Sequence, residues 1–194
     1  MFIVDRVKNI LLKPKEEWPI IAGEITSPAE LYTNYIIPLA AIPAVAAFIG
    51  VSIVGLPFIG RLSMMTGLSI MVTQFVLALI GVFVLSLVID FLAPQFGGEK
   101  SSGQALKVAA YAMTAAWLAG IFSILPMLGI LGILGLYSIY LLYLGLPVLM
   151  KTPADKAVIY TVVVVIAGII IWVVIFSVST LFTPTPGIPM PHMR

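Results

Sequence analysis

The chain has no cysteine, which excludes disulfides, thiolate nucleophiles and cysteine-ligated metals. Histidine is almost as scarce: the single one, His192, lies within the last three residues, so no histidine-rich ligand set exists. Charge is sparse too. Asp, Glu, Lys and Arg make up 9% of the residues, against about 25% in an average soluble domain. The net charge of +2 is small and divided between regions, so it gives no reason to expect a nucleic-acid partner. The metalloprotease HExxH and the hydrolase GxSxG are both missing. Gly97-Gly98-Glu99-Lys100 lacks the glycine-lysine-hydroxyl spacing of a phosphate loop. No enzyme activity and no cofactor is therefore expected.

What remains is apolar. Hydrophobic residues make up 61% of 194, more than a fold of this length can hide from water, so lipid is the expected solvent. The charged N-terminal stretch reaches Glu17 and does not read as a cleavable signal peptide. A membrane helix needs about 20 apolar residues. One such run extends from about Tyr35 to Gly55 and contains Pro38 and Pro43; a second extends from about Gly67 to Ala93. The stretch from Ala105 to Met150 is too long for one crossing, even a tilted one. Pro126 is its natural break, because proline removes a donor and disfavours helix before it. The two halves form either two full crossings, the favoured reading, or a re-entrant hairpin shielded by protein. Val158 to Phe182 is β-branched, but at this length without a turn it reads as a fifth membrane helix. The expected class is all-α, a polytopic bundle of five membrane helices preceded by an amphipathic helix.

Orientation follows from the basic residues. With five spans and the N-terminus inside, Arg6, Lys8, Lys13, Lys15, Lys100, Lys107, Lys151 and Lys156 share the inner side. Arg61 and Arg194 lie outside. The positive-inside rule then places the N-terminus in the cytoplasm and the C-terminus across the plasma membrane.

Three regions follow: an amphipathic helix and linker over 1–30, the membrane domain over 31–182, and a proline-rich flexible tail over 183–194. Ile3, Val4, Val7, Ile10 and Leu11 recur at helical spacing with Asp5, Arg6 and Lys8 between them, and Pro14 should end the helix. This helix either lies on an anionic leaflet, with Trp18 as an interfacial anchor, or packs against the cytoplasmic ends of the spans. GGEKSSGQ, from Gly97, is a cytoplasmic turn. Lys107 lies about one helical turn beyond it, with a stem long enough to snorkel to the headgroups. Asp90 is its counterpart on the other arm of the hairpin, and an ion pair between them is the sharpest hypothesis here.

Other polar groups are weaker candidates. Gln74 lies in the second span, 16 residues from Asp90, so the two point nearly oppositely and stand about 24 Å apart. Gly129, Gly132 and Gly135 offer a small-residue surface, for packing within the chain ahead of homo-oligomerisation. Tyr137, Tyr140 and Tyr143 read as packing groups. Asn34, Thr73, Tyr111 and Thr114 are suited to interhelical hydrogen bonds.

Several elements in order resemble those of a known family: KPKEEW at 13–18, ELYTNYIIPLA at 30–40, GGEKSSGQALKVAAYAMTAAWLAGI at 97–121 and LYLGLPVLMKTPADKA at 142–157. Over roughly residues 1–182 the chain is similar to prokaryotic members of the Yip domain family, the five-span proteins named for Ypt-interacting proteins. Ala110-Tyr111-Ala112 resembles the family's Gly-Tyr-Ser-like element. Glu30-Leu31-Tyr32 resembles its acidic-Leu-Tyr element, with Thr33-Asn34 where eukaryotic members usually have Gly-Pro. The resemblance implies a five-span architecture. Eukaryotic members act in early secretory trafficking and contact prenylated small GTPases. The expectation for this chain is an integral membrane scaffold or adaptor, with membrane lipid around it and a protein partner at its cytoplasmic face. Glu30, Tyr32, Asp90, Lys107 and Tyr111 are the candidate contact or structural residues. The alternative is a small transporter, channel or lipid-moving protein using Gln74, Thr114 and Asp90 along a polar path.

Overall fold

The computed structural model describes residues 3–58 and 60–182. The proline-rich tail, with His192 and Arg194, lies outside the described residues. Among the described residues, seven helical segments follow one another. α1 (Ile3–Leu12) and α2 (Pro14–Gly23) are short. Five long apolar segments follow: α3 (Pro28–Val54), α4 (Met64–Phe96), α5 (Ser102–Ile124), α6 (Pro126–Leu149) and α7 (Ala154–Phe182). Each of the five is long and apolar enough to cross a bilayer, and the chain is an all-α, polytopic membrane bundle.

The break between α5 and α6 falls at Leu125, whose extended backbone precedes Pro126, as proline requires of the residue before it. The α5 segment covers 23 residues and α6 covers 24. At ~1.5–2.0 Å rise per residue each exceeds 30 Å, enough for a full crossing. Pro38 and Pro43 are accommodated within α3, in its α-helical stretch Ile37–Phe48, which is flanked inside the segment by wide π turns at Tyr32–Ile36 and Ile49–Val54. Such local adjustments re-satisfy carbonyls that a proline leaves unbonded. Residues Pro126–Leu136 form a 3-10 helix. At three residues per turn, Gly129, Gly132 and Gly135 fall in one line. Only Gly135 uses its smallness, lying against Ala116 of α5; the other two face open space.

α4 is central, packing against α3, α5 and α7, while α6 joins α5 to α7. The bundle has two distinct ends. At one, the Glu99 amide donates to the Met150 carbonyl (2.8 Å), and Lys151 pairs with Glu99 across an exposed 2.6 Å bridge. At the other, Gly50 of α3 backs onto the carbonyl of Ser123, so closely that a Cβ would stand 2.1 Å from it. α1 and α2 sit at the first end, with α2 against α6. That end holds eight of the ten basic residues, and Arg61 belongs to the opposite end.

A buried polar seat beneath the N-terminal helices

Arg6 explains why α1 and α2 stay on the bundle. Ile3, Arg6 and Ile10 are spaced to share one helical face. Arg6 and Ile10 are buried, while Val4, Asp5 and Lys8 point out. The Arg6 guanidinium forms hydrogen-bonded ion pairs with Glu17 and Glu24. Glu17 is 2% exposed, and a carboxylate that far from water persists only when paired. The guanidinium is held above its ordinary pKa. Burial pulls it down, but the hydrogen bond it donates to Glu24 and its electrostatic interactions with Tyr111, Glu24 and Glu17 outweigh that. Arg6 is charged at every working pH.

The floor of the seat is aromatic. Trp18 is fully buried, its ring 6.3 Å from that of Tyr111 and nearly perpendicular to it. Tyr111 meets Tyr35 at 4.5 Å, and the Arg6 guanidinium stands over the Tyr111 ring at 5.8 Å, within cation–π range. The Tyr35 hydroxyl is 2.7 Å from the Thr114 hydroxyl, which donates to the Tyr111 carbonyl. Gly145 of α6 makes room for Trp18. A Cβ there would stand 2.7–2.8 Å from three indole atoms.

The rest of the seat comes from the bundle reaching up to helix ends. The last carbonyls of a helix have no intrahelical partner, and a cation there also meets the negative end of the helix dipole. Lys107 Nζ donates to the carbonyls of Ile21 (3.0 Å) and Glu24 at the end of α2. Gln104 Nε2 donates to the Ala22 carbonyl at 2.9 Å. Tyr137 Oη donates to the Leu11 carbonyl, in the last turn of α1, at 3.0 Å. Two membrane segments, α5 and α6, thus satisfy groups that short helices leave bare.

This geometry corrects two expectations. Lys107 neither snorkels to headgroups nor pairs with Asp90: it is buried under the end of α2. Asp90 instead accepts the Ser101 amide at 2.7 Å, fixing the turn at the start of α5. The pair fails because each group has a nearer backbone partner than the other's side chain. Trp18 is not an interfacial anchor, since the Gly145 notch takes it into the protein. Of the two readings for the N-terminal helix, packing on the bundle is the one observed.

The sequence-derived candidates separate. Lys107 and Tyr111 meet in the seat. Glu30 closes a capping box with Ser27, each side chain bonding the other's amide. Tyr32 ties α3 to α4 by donating to the Leu79 carbonyl at 3.1 Å. Asp90 holds its own turn. Arg6, Glu17, Glu24 and Tyr35 were not singled out, and one signal was available for Arg6: it stands on the apolar face of α1.

The fold and this end defined by buried ion pairs establish a class, the polytopic membrane protein with N-terminal helices built into its bundle. The Yip1 domain family model matches residues 8–175, and the chain belongs to that family. It is similar to the inner membrane protein YohC of Escherichia coli K12, and to YohC of Escherichia coli O6:H1. Each is 30% identical over 125 residues, covering 62% of this chain and 64% of the relative. The match spans less than two thirds of those relatives' length. No solved structure matches.

Proposed function

We propose that this chain is a non-enzymatic scaffold or adaptor of the plasma membrane, its basic end and N-terminus cytoplasmic and its C-terminus across the bilayer. The observation that carries this reading is the sealed seat. Ion pairs and helix-end hydrogen bonds hold α1 and α2 as a preformed platform, and a preorganised surface loses little entropy on binding. The outer side of that platform carries Asp5, Lys8, Lys13, Lys15 and Glu16, all exposed. Three lysines against two acids favour a protein partner with an acidic surface. The 64% coverage and inner-membrane name of YohC support the location. The channel or polar-solute transporter alternative gains little support, because the crevice between α3, α4, α5, α6 and α7 is lined chiefly by apolar side chains.

The test is a photo-crosslinking residue at position 8 or 15 in native membranes. A discrete protein adduct at either position, lost with Lys8→Glu and Lys15→Glu together, is expected. Adducts to lipid alone, or solute flux through the purified protein in vesicles, would overturn the reading.

A further inference from the structure

The turn that joins α3 to α4, at the end of the bundle opposite the seat, is built of the wrong residues for water. It reads Gly55-Leu56-Pro57-Phe58-Ile59-Gly60-Arg61-Leu62. Exposed turns are ordinarily polar, yet Leu56 to Ile59 are all apolar and the one charge is Arg61. The backbone of the turn is pinned. The Leu56 amide donates to the Gly60 carbonyl at 2.8 Å, and the Gly60 amide returns a bond to the Leu56 carbonyl at 2.9 Å. At its foot the Leu62 amide donates to the Val51 carbonyl of α3 at 2.9 Å, and Ser63 caps α4 by accepting the Thr66 amide at 3.1 Å. Gly55 and Gly60 take φ angles of 101° and 85°, which only glycine adopts at little cost.

Phe58 also lies in the left-handed region, at φ 67°, where a bulky side chain is an outlier. It stands clear of the protein, 108% exposed. An outlier held in place by its surroundings is a pointer to function, and the neighbouring residues say what surrounds the ring. Ile53 and Val54 at the end of α3, and Met64 and Met65 at the start of α4, are all exposed apolar residues. The lipid-facing surface of both spans therefore runs up to the two feet of the turn. Arg61 is exposed, and its guanidinium has no hydrogen-bond or ion-pair partner among the described residues. Its stem crosses Gly55, with Cγ 3.1 Å from where a Cβ would stand there. An apolar tip with an unpaired cation at its foot, set at the end of a span, suits the boundary between lipid and water: the ring takes the acyl side and the guanidinium the phosphates.

We infer that this turn is a lipid anchor. Phe58 inserts among the acyl chains just below the headgroups of the leaflet opposite the seat. Arg61 holds a phospholipid phosphate through charge-assisted hydrogen bonds. The anchor fixes the depth of α3 and α4 at their shared end, and it acts independently of any partner on the platform formed by α1 and α2.

The test places a nitroxide on Phe58→Cys in the full chain, which has no other cysteine, in vesicles of mixed zwitterionic and anionic phospholipid. Collisions with oxygen against those with a water-soluble nickel chelate report depth. Labels on Leu68→Cys, on the lipid-facing side of α4, and on Lys8→Cys, on the exposed side of α1, bracket the scale. The Phe58 label should favour oxygen, at a depth shallower than Leu68. Adding Arg61→Gln should shift it towards the chelate. A second readout uses Phe58→Trp with Trp18, Trp117 and Trp172 replaced by Phe. Its emission should be quenched by lipids brominated in the upper acyl chain and spared by acrylamide. A Phe58 label as open to the chelate as Lys8 puts the turn in water and overturns the proposal. A label shielded from oxygen and chelate alike means that protein, a second copy or another chain, covers the tip, and overturns it too. A depth indifferent to Arg61→Gln would remove the phosphate contact.

Discussion

Arg6→Met should free the N-terminal helices while leaving the five spans in place. The guanidinium is the ion-pair partner of Glu17, whose side chain is 3% exposed, and of Glu24, at 36%. Removing it strands the Glu17 carboxylate. Breaking a buried pair from one side costs about 3–5 kcal/mol. Glu24 adds little, since a partly exposed carboxylate is rehydrated. That cost falls on the equilibrium by which α1 and α2 lift from the bundle. With ~1.4 kcal/mol per factor of ten, amide exchange over residues 3–23 should accelerate by about two to three and a half orders of magnitude, with exchange in α4 and α7 unchanged. Glu17→Gln alone should also be costly. The double variant should recover much of the loss, because neither partner is then left charged and buried. Hydrogen-exchange mass spectrometry in nanodiscs reads all three. Additive losses, or less than a twofold change for Arg6→Met, would refute the reasoning.

Three further outcomes are expected. Gly145→Ala drives a methyl into the Trp18 ring, 2.7 Å away, and should destabilise the seat by about 1–3 kcal/mol, seen as faster exchange across α2. Asp90→Asn and Lys107→Met should add within about 0.5 kcal/mol in thermal melts, because the two side chains share no partner; strong non-additivity would restore the ion pair. A reporter fused after Phe182 should be extracytoplasmic and one inserted at Asp155 cytoplasmic, and finding both on one side would remove the five-crossing topology.

The sequence made the spans legible because bilayer thickness imposes a length. It made the α5–α6 break legible because Pro126 cannot continue a helix and restricts Leu125 before it. The seat was hidden for the opposite reason. Arg6, Glu17 and Glu24 are ordinary surface residues by composition. Only tertiary packing makes them a buried network, although the place of Arg6 between Ile3 and Ile10 hinted at it. The Asp90–Lys107 pair misled because hairpin symmetry matches depth, not partners. It ignored the backbone groups at the end of α2 and at Ser101, which short helices and turns leave in need of a charge.

The central claim is that the N-terminal helices belong to the protein fold and not to the leaflet. Trp18 reports on it directly once Trp117 and Trp172 are replaced by Phe. In vesicles of brominated lipid, a Trp18 seated against Gly145 and Tyr111 should emit at short wavelength and escape quenching by both bromine and acrylamide. Arg6→Met should make it quenchable. Strong quenching of the unaltered seat by lipids brominated near the headgroup would place Trp18 in the interface and contradict the account.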